Sequence, residues 1–154
     1  MSFGVTLAIY FTIQKYLGKK ALYPGNEVNY KGIFEFSNAD VIAKFAIWTS
    51  LNPAAENEAF LIIDHNSKKV TGEDFWKASA AYFGVEVEEP TFPKTSGLPK
   101  GNGQYQVEWS LADYMKDKKG VWKEISQKYG IDENTFDYAT WEFAGESSRL
   151  TMFN

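Results

Sequence analysis

Tyr10 and Gln14 stand one helical turn apart and place two neutral hydrogen-bonding groups on one face of an otherwise apolar run. Tyr105 and Trp109 repeat that spacing at the end of a stretch rich in Gly and Pro. Trp48, Tyr114 and Trp141 are side chains of the same kind, an apolar body with a neutral polar tip. Such groups can hold a flexible apolar molecule and set a donor on an oxygen where charge develops. Tyr105, Gln14 and Tyr10 are the candidate donors. Trp48, Trp109, Tyr114 and Trp141 are the candidate walls. The pocket is expected between the first helix, the central helix and the loop leading into Trp109. The plainer reading is that these are core aromatics around no cavity.

The ionisable residues offer less. His65 is the single histidine, and Asp64-His65-Asn66 has turn chemistry. A base there needs an orienting acid, and Asp64 is too close in sequence to serve easily. Neither Ser79 nor Ser110 has the context of a nucleophile elbow. Glu86, Glu88 and Glu89 read as solvent-facing charges on and after a strand. Glu142 and Glu146, beside Trp141, read as rim residues. With no cysteine there is no disulfide, thiolate nucleophile or zinc–cysteine site. No metal or cofactor is expected.

The composition narrows the class. The 154 residues suit one domain, 1–154. Aromatics make up 17%, enough for a core or a ligand pocket built on large rings. The net charge is −4, and Arg149 is the one arginine among 16 basic residues, so nucleic acid is not an expected partner. The run 1–13 is apolar but lacks a basic flank and a cleavage site, and it is shorter than the ~20 residues of a membrane span. A cytoplasmic protein without membrane insertion is expected.

Several elements must position those residues. Phe3 to Leu17 is apolar almost all round, a buried helix with Gly18 as its stop. The stretch from Ser37 to His65 reads as a capped helix, a stop at Asn52-Pro53 and a buried strand at Ala59 to Ile63. Val41, Ile42, Phe45 and Trp48 form the core stripe of that helix. Thr71 and Asp74 form a capping box for a helix reaching Phe83, which Gly84 ends. Ala21 to Tyr23 and Val85 to Glu88 read as short strands. Residues 90–108 form a loop or lid. Ser110 opens a short helix, Val121 to Tyr129 is another, and Asp132 to Phe143 is the last. The expected fold class is α+β: a mainly helical single domain with a few short strands.

Six words in order resemble the C-terminal part of the progesterone-5β-reductase and iridoid-synthase-like branch of extended short-chain dehydrogenases. They are GVTLAIYFTIQKYLGK, YPG, SNADVIAKFAIWTSLNPAAENEAF, FWKASAAYFGVE, KGVWKEISQKYGI and FDYATWEF, in wording similar to fungal members. The resemblance implies the fold of that family's C-terminal lobe and a pocket for terpenoid or steroid-like substrates. It places NADP(H), the glycine fingerprint and the catalytic Tyr and Lys in an N-terminal Rossmann lobe with no counterpart in these words. No G-x-G-x-x-G occurs, and Gly97 to Gly103 neither follows a strand nor opens a helix. After Phe143 the tail 144–154 diverges. The expectation is a substrate lobe without the Rossmann half, a cofactor-independent cyclase or isomerase of fungal specialised metabolism. The Diels–Alder type is the leading case, on an apolar terpenoid or polyketide. The alternative is a non-catalytic small-molecule-binding or partner-docking remnant. A face left bare by a missing half would favour a homodimer or coverage by the divergent tail 144–154.

Overall fold

The computed structural model describes residues 3–34, 37–63, 69–92 and 109–141. His65, Tyr105, Glu142, Glu146, most of the loop 90–108 and the tail 144–154 lie outside the described residues.

Helix α1, Phe3–Tyr16, is the hub. Its apolar residues run round the whole circumference, so the helix must be covered on several sides. Leu7, Ile9, Tyr10, Phe11 and Ile13 are buried, as are the polar Thr6 and Gln14. It stops at Gly18, whose φ of 63° is left-handed backbone that glycine adopts without strain. A short α2, Glu27–Lys31, follows, capped by Asn26, whose side chain accepts from the Asn29 amide.

Helix α4, Gly72–Phe83, forms as its signals require. Thr71 accepts from the Asp74 amide at 3.1 Å, and Asp74 accepts from the Thr71 amide at 3.0 Å. Its far end closes on Gly84 with φ of 66°. Trp76 and Ala80 face inward against α1. Helix α5, Leu111–Met115, and helix α6, Lys119–Tyr129, add Leu111, Met115, Trp122 and Ile125 to the same core.

Three expectations fail here. The α+β class is not met, because among the described residues there are two isolated bridges and no strand. Ala21 pairs in parallel with Val87, and Ile33 pairs antiparallel with Thr71. Each segment has one neighbour over one residue, too little to propagate a ladder. The last helix is also shorter than its pattern suggested, a 3-10 turn at Glu133–Tyr138.

The third failure is the central stretch. Helix α3, Ala39–Leu51, forms with Asn38 as its cap, but none of its residues is buried. The proposed core stripe is open to solvent, with Trp48 46% exposed. The segment 59–63 belongs to no helix or strand and is not buried, and Leu61 is 86% exposed. Periodicity locates a face that wants a partner. It does not say that the described residues supply one.

Candidate functional site

Tyr10 and Gln14 meet inside the core, as their spacing requires. Gln14 Nε2 donates to the Tyr10 hydroxyl at 3.0 Å and also lies 3.2 Å from the Lys20 carbonyl. The Tyr10 hydroxyl accepts from the Leu22 amide at 2.9 Å and donates to the Leu22 carbonyl at 3.2 Å. The hydroxyl of Tyr114, at the far end of the sequence, donates to Gln14 Oε1 at 2.9 Å. Every polar atom of Tyr10 and Gln14 therefore has a protein partner. Burial is the main cause that raises the Tyr10 phenol above its ordinary range, and the hydrogen bond from Gln14 lowers it by less.

Trp109 joins the same cluster. Its indole N–H donates to the Tyr23 carbonyl at 3.1 Å. Its ring lies edge-on to Tyr114 at 5.5 Å and tilted to Tyr10 at 6.4 Å. Four of the seven candidates, Tyr10, Gln14, Trp109 and Tyr114, thus form one connected group. Trp48 is not part of it: it packs on Phe45 and Phe60, on the exposed side of the molecule. Trp141 sits against Phe136 at 5.2 Å. Its segment is tied to α1 through the Thr140 amide, which donates to Thr6 Oγ1 at 2.9 Å.

The carboxylates behave as solvated charges. Glu86 approaches Lys20 at 3.5 Å, and Glu73 and Glu89 share Lys77 at 2.6 and 3.0 Å. Those two hydrogen bonds raise the Lys77 ammonium above its ordinary range. Among the described residues no group of His, Asp or Glu could hold a metal ion, and no helix is long and apolar enough to cross a membrane.

A second feature was not singled out from the sequence. Phe3, Leu7, Tyr23, Pro24, Gly25, Phe34, Gly72, Phe75 and Trp76 line a cavity of about 20 Å³. That is room for one water-sized group. Phe34 and Phe75 stack at 5.4 Å with 7° between their planes, and Phe3 stacks on both. Trp76 is 2% exposed, and its indole N–H has no hydrogen-bond partner among the described residues. A buried N–H without a partner is costly, and this one belongs to a residue that lines the cavity. The available signal was a tryptophan on the inward face of a helix, because such a ring brings an N–H that must be satisfied.

A dinucleotide on a Rossmann fold rests on a strand, a glycine-rich turn and a helix N-terminus. The described residues contain no such strand and turn, so none of them is assigned to a nucleotide here.

The short chain dehydrogenase gsfE of Penicillium aethiopicum is 33% identical over 144 residues, 92% of this chain and 37% of that protein. The (S)-8-oxocitronellyl enol synthase ISY1 of Nepeta racemosa is 33% identical over 142 residues, 90% of this chain and 32% of that protein. The 3-oxo-Delta(4,5)-steroid 5-beta-reductase of Arabidopsis thaliana is 31% identical over 140 residues, with 90% and 32% covered. The chain spans about a third of the length of these relatives. The family whose pattern matches residues 1–154 is described as a PRISE-like Rossmann-fold domain. That finding corrects the expectation of a lobe separate from the Rossmann fold. From Met1 to Asn154 the chain belongs to the family of PRISE-like Rossmann-fold domains.

Proposed function

We propose that this chain provides an aromatic binding site for an apolar oxo compound, used in cyclisation or isomerisation within specialised metabolism. The observation that carries this reading is the cavity lined by Trp76, whose buried indole N–H has no partner among the described residues. The rings of Phe3, Phe34, Phe75 and Tyr23 supply an apolar wall. The Trp76 N–H supplies one neutral donor, which suits a carbonyl oxygen. Two relatives carry names with an oxo group on an apolar skeleton, an 8-oxocitronellyl enol synthase and a 3-oxo steroid reductase.

The cavity admits a water-sized group, so a larger ligand enters by moving the stacked Phe34 and Phe75 rings. An oxygen held by Trp76 fixes one end of a flexible chain. Folding the remainder against the rings places reacting atoms near each other, an effect worth up to ~7–11 kcal/mol in ideal intramolecular cases. A hydrogen bond that strengthens as charge reaches the oxygen adds to it. An intramolecular Diels–Alder reaction is the leading case, because it asks no proton or electron of the protein. Tyr105 remains the proposed donor from the 90–108 loop.

A second reading, binding without catalysis, is favoured by one observation. The donors of Tyr10 and Gln14 are already engaged within the protein, so neither is free for substrate.

The test is titration of the chain with a 3-oxo-Δ4,5 steroid, followed by tryptophan fluorescence. Binding at micromolar concentrations that Trp76→Phe weakens at least tenfold supports the site. Binding unchanged in Trp76→Phe places the ligand elsewhere. Product analysis with polyene aldehydes then separates the two readings. Turnover slowed in Tyr105→Phe supports catalysis, and binding without any product supports the second reading.

A further inference from the structure

Helix α3 and the residues that follow it present one broad apolar surface. At 100° per residue, Val41, Ile42, Phe45, Ile47, Trp48 and Leu51 spread over more than half of the helix circumference. None of them is buried. Among the described residues the helix packs chiefly on its own continuation. That continuation is the 3-10 turn Pro53–Ala55 and the ring of Phe60, 5.3 Å from the ring of Phe45 and 6.3 Å from that of Trp48. The Ser37 hydroxyl donates to the Ile62 carbonyl at 2.8 Å, which keeps residues 60–63 beside the helix they follow. Phe60, Leu61 and Ile63 are themselves exposed, so they enlarge the apolar surface more than they cover it.

The size of this surface bears on what covers it. The exposed apolar side chains between Val41 and Ile63 leave in solvent the equivalent of about four whole side chains, roughly 800 Å² at ~200 Å² for each. The largest apolar patch of a soluble monomer is about 300–600 Å². A stable dimer of standard size buries about 800 Å² on each partner. A second copy of the chain brings the same area, and a two-fold axis needs no other surface. The charges agree with this. Asp40 and Lys44 are the ionised side chains of the helix and cancel, so two copies meet there without net repulsion. At the same spacing Glu27 and Lys31, and Glu73 and Lys77, pair at 2.6 Å. Among the described residues Asp40 and Lys44 make no ion pair, so both remain available to a second copy.

We propose that α3 and residues 60–63 form the contact face of a two-fold symmetric homodimer, in which Ile47 and Leu51 of one copy pack on the same residues of the other. The proposal does not rest on the ligand site, which none of these residues lines.

The experiment is sedimentation of the whole chain over a dilution series, with amide exchange in parallel. The expected result is a mass of twice 17.5 kDa at micromolar concentration, falling to the single mass on dilution. Amides of α3 should exchange at least tenfold more slowly in the dimer than in the diluted chain. Ile47→Glu and Leu51→Glu each change an exposed side chain. Each should weaken self-association at least tenfold while circular dichroism stays unchanged. Tyr82→Glu, on the exposed face of α4, should leave the dimer intact. A chain that keeps the single mass at every concentration overturns the proposal. Slowly exchanging α3 amides in that monomer would then assign the cover to the chain's own remaining residues, and fast ones to a different partner. A dimer that both glutamate variants leave intact also overturns it. So does a mass that grows without limit, because an open contact has no two-fold axis.

Discussion

The Tyr114 hydroxyl donates to Gln14 Oε1 at 2.9 Å across 100 residues of sequence, and this bond closes the polar network inside the core. It completes the valences of a glutamine that is 2% exposed on an apolar helix. Removing the hydroxyl leaves a buried acceptor without its donor. Tyr114→Phe should therefore lower unfolding free energy by about 1–3 kcal/mol. Gln14→Met in that background should recover part of the loss, because the orphaned Oε1 is then gone, less the cost of the Lys20 carbonyl losing its donor. Urea denaturation of the two single variants and the double variant measures the coupling. Additive losses would show that the bond contributes nothing of its own.

Tyr10 and Tyr23 give the protein an alkaline limit. Burial raises both phenols above the ordinary value near 10. Below pH 10 folded and unfolded chains hold the same phenolic protons, so this contribution to stability is fully present. As pH rises above 10 the unfolded chain loses these protons while the folded chain keeps them. Unfolding free energy then falls by up to about 1.4 kcal/mol per pH unit for each tyrosine. Absorbance at the tyrosinate band should show two phenols that ionise only as the fold is lost, which circular dichroism follows in parallel. Nine tyrosines titrating together near pH 10 with the fold intact would contradict this.

Gly72 is a packing requirement as well as the first residue of α4. A Cβ there would clash with the Asn29 carbonyl oxygen, a backbone atom of α2. The Gly72 amide also donates to the Gly32 carbonyl at 3.0 Å. Gly72→Ala should move α2 away from α4 and destabilise by about 1–3 kcal/mol, despite alanine's better helix propensity. Thermal unfolding read at the tryptophan band checks it. A variant as stable as the parent would show that α2 shifts at no cost.

The two best capped helices should respond differently to losing their caps. Thr71→Ala removes the capping box of α4, which packs on α1, and should cost about 1 kcal/mol of global stability. Asn38→Ala removes the cap of α3, which buries no residue. Its effect should be confined to faster amide exchange within α3, with the global midpoint unchanged. Equal shifts in the midpoint for both variants would mean that α3 is coupled to the core.

The local elements were legible because their causes are local. Thr71 and Asp74, three apart, cap α4 wherever the chain goes, and Gly84 can take a left-handed φ that ends it. Phe3 to Tyr16 is a helix because an apolar run of 14 residues is too long for a buried strand. The pairing of Tyr10 with Gln14 followed from 3.6 residues per turn. Tertiary structure alone decided which neighbours those side chains met. It gave Gln14 the distant hydroxyl of Tyr114, a contact that no spacing encodes. It left the buried Trp76 N–H without a partner among the described residues, since burial of a ring depends on helices packed from elsewhere. Trp48 and the run 59–63 show the same limit from the other side. Their apolar pattern was taken to mean burial, but a pattern states only a demand for cover, and the fold decides whether it is met. Among the described residues that cover is absent, which is why a stretch that reads as the centre of the chain stands at its surface.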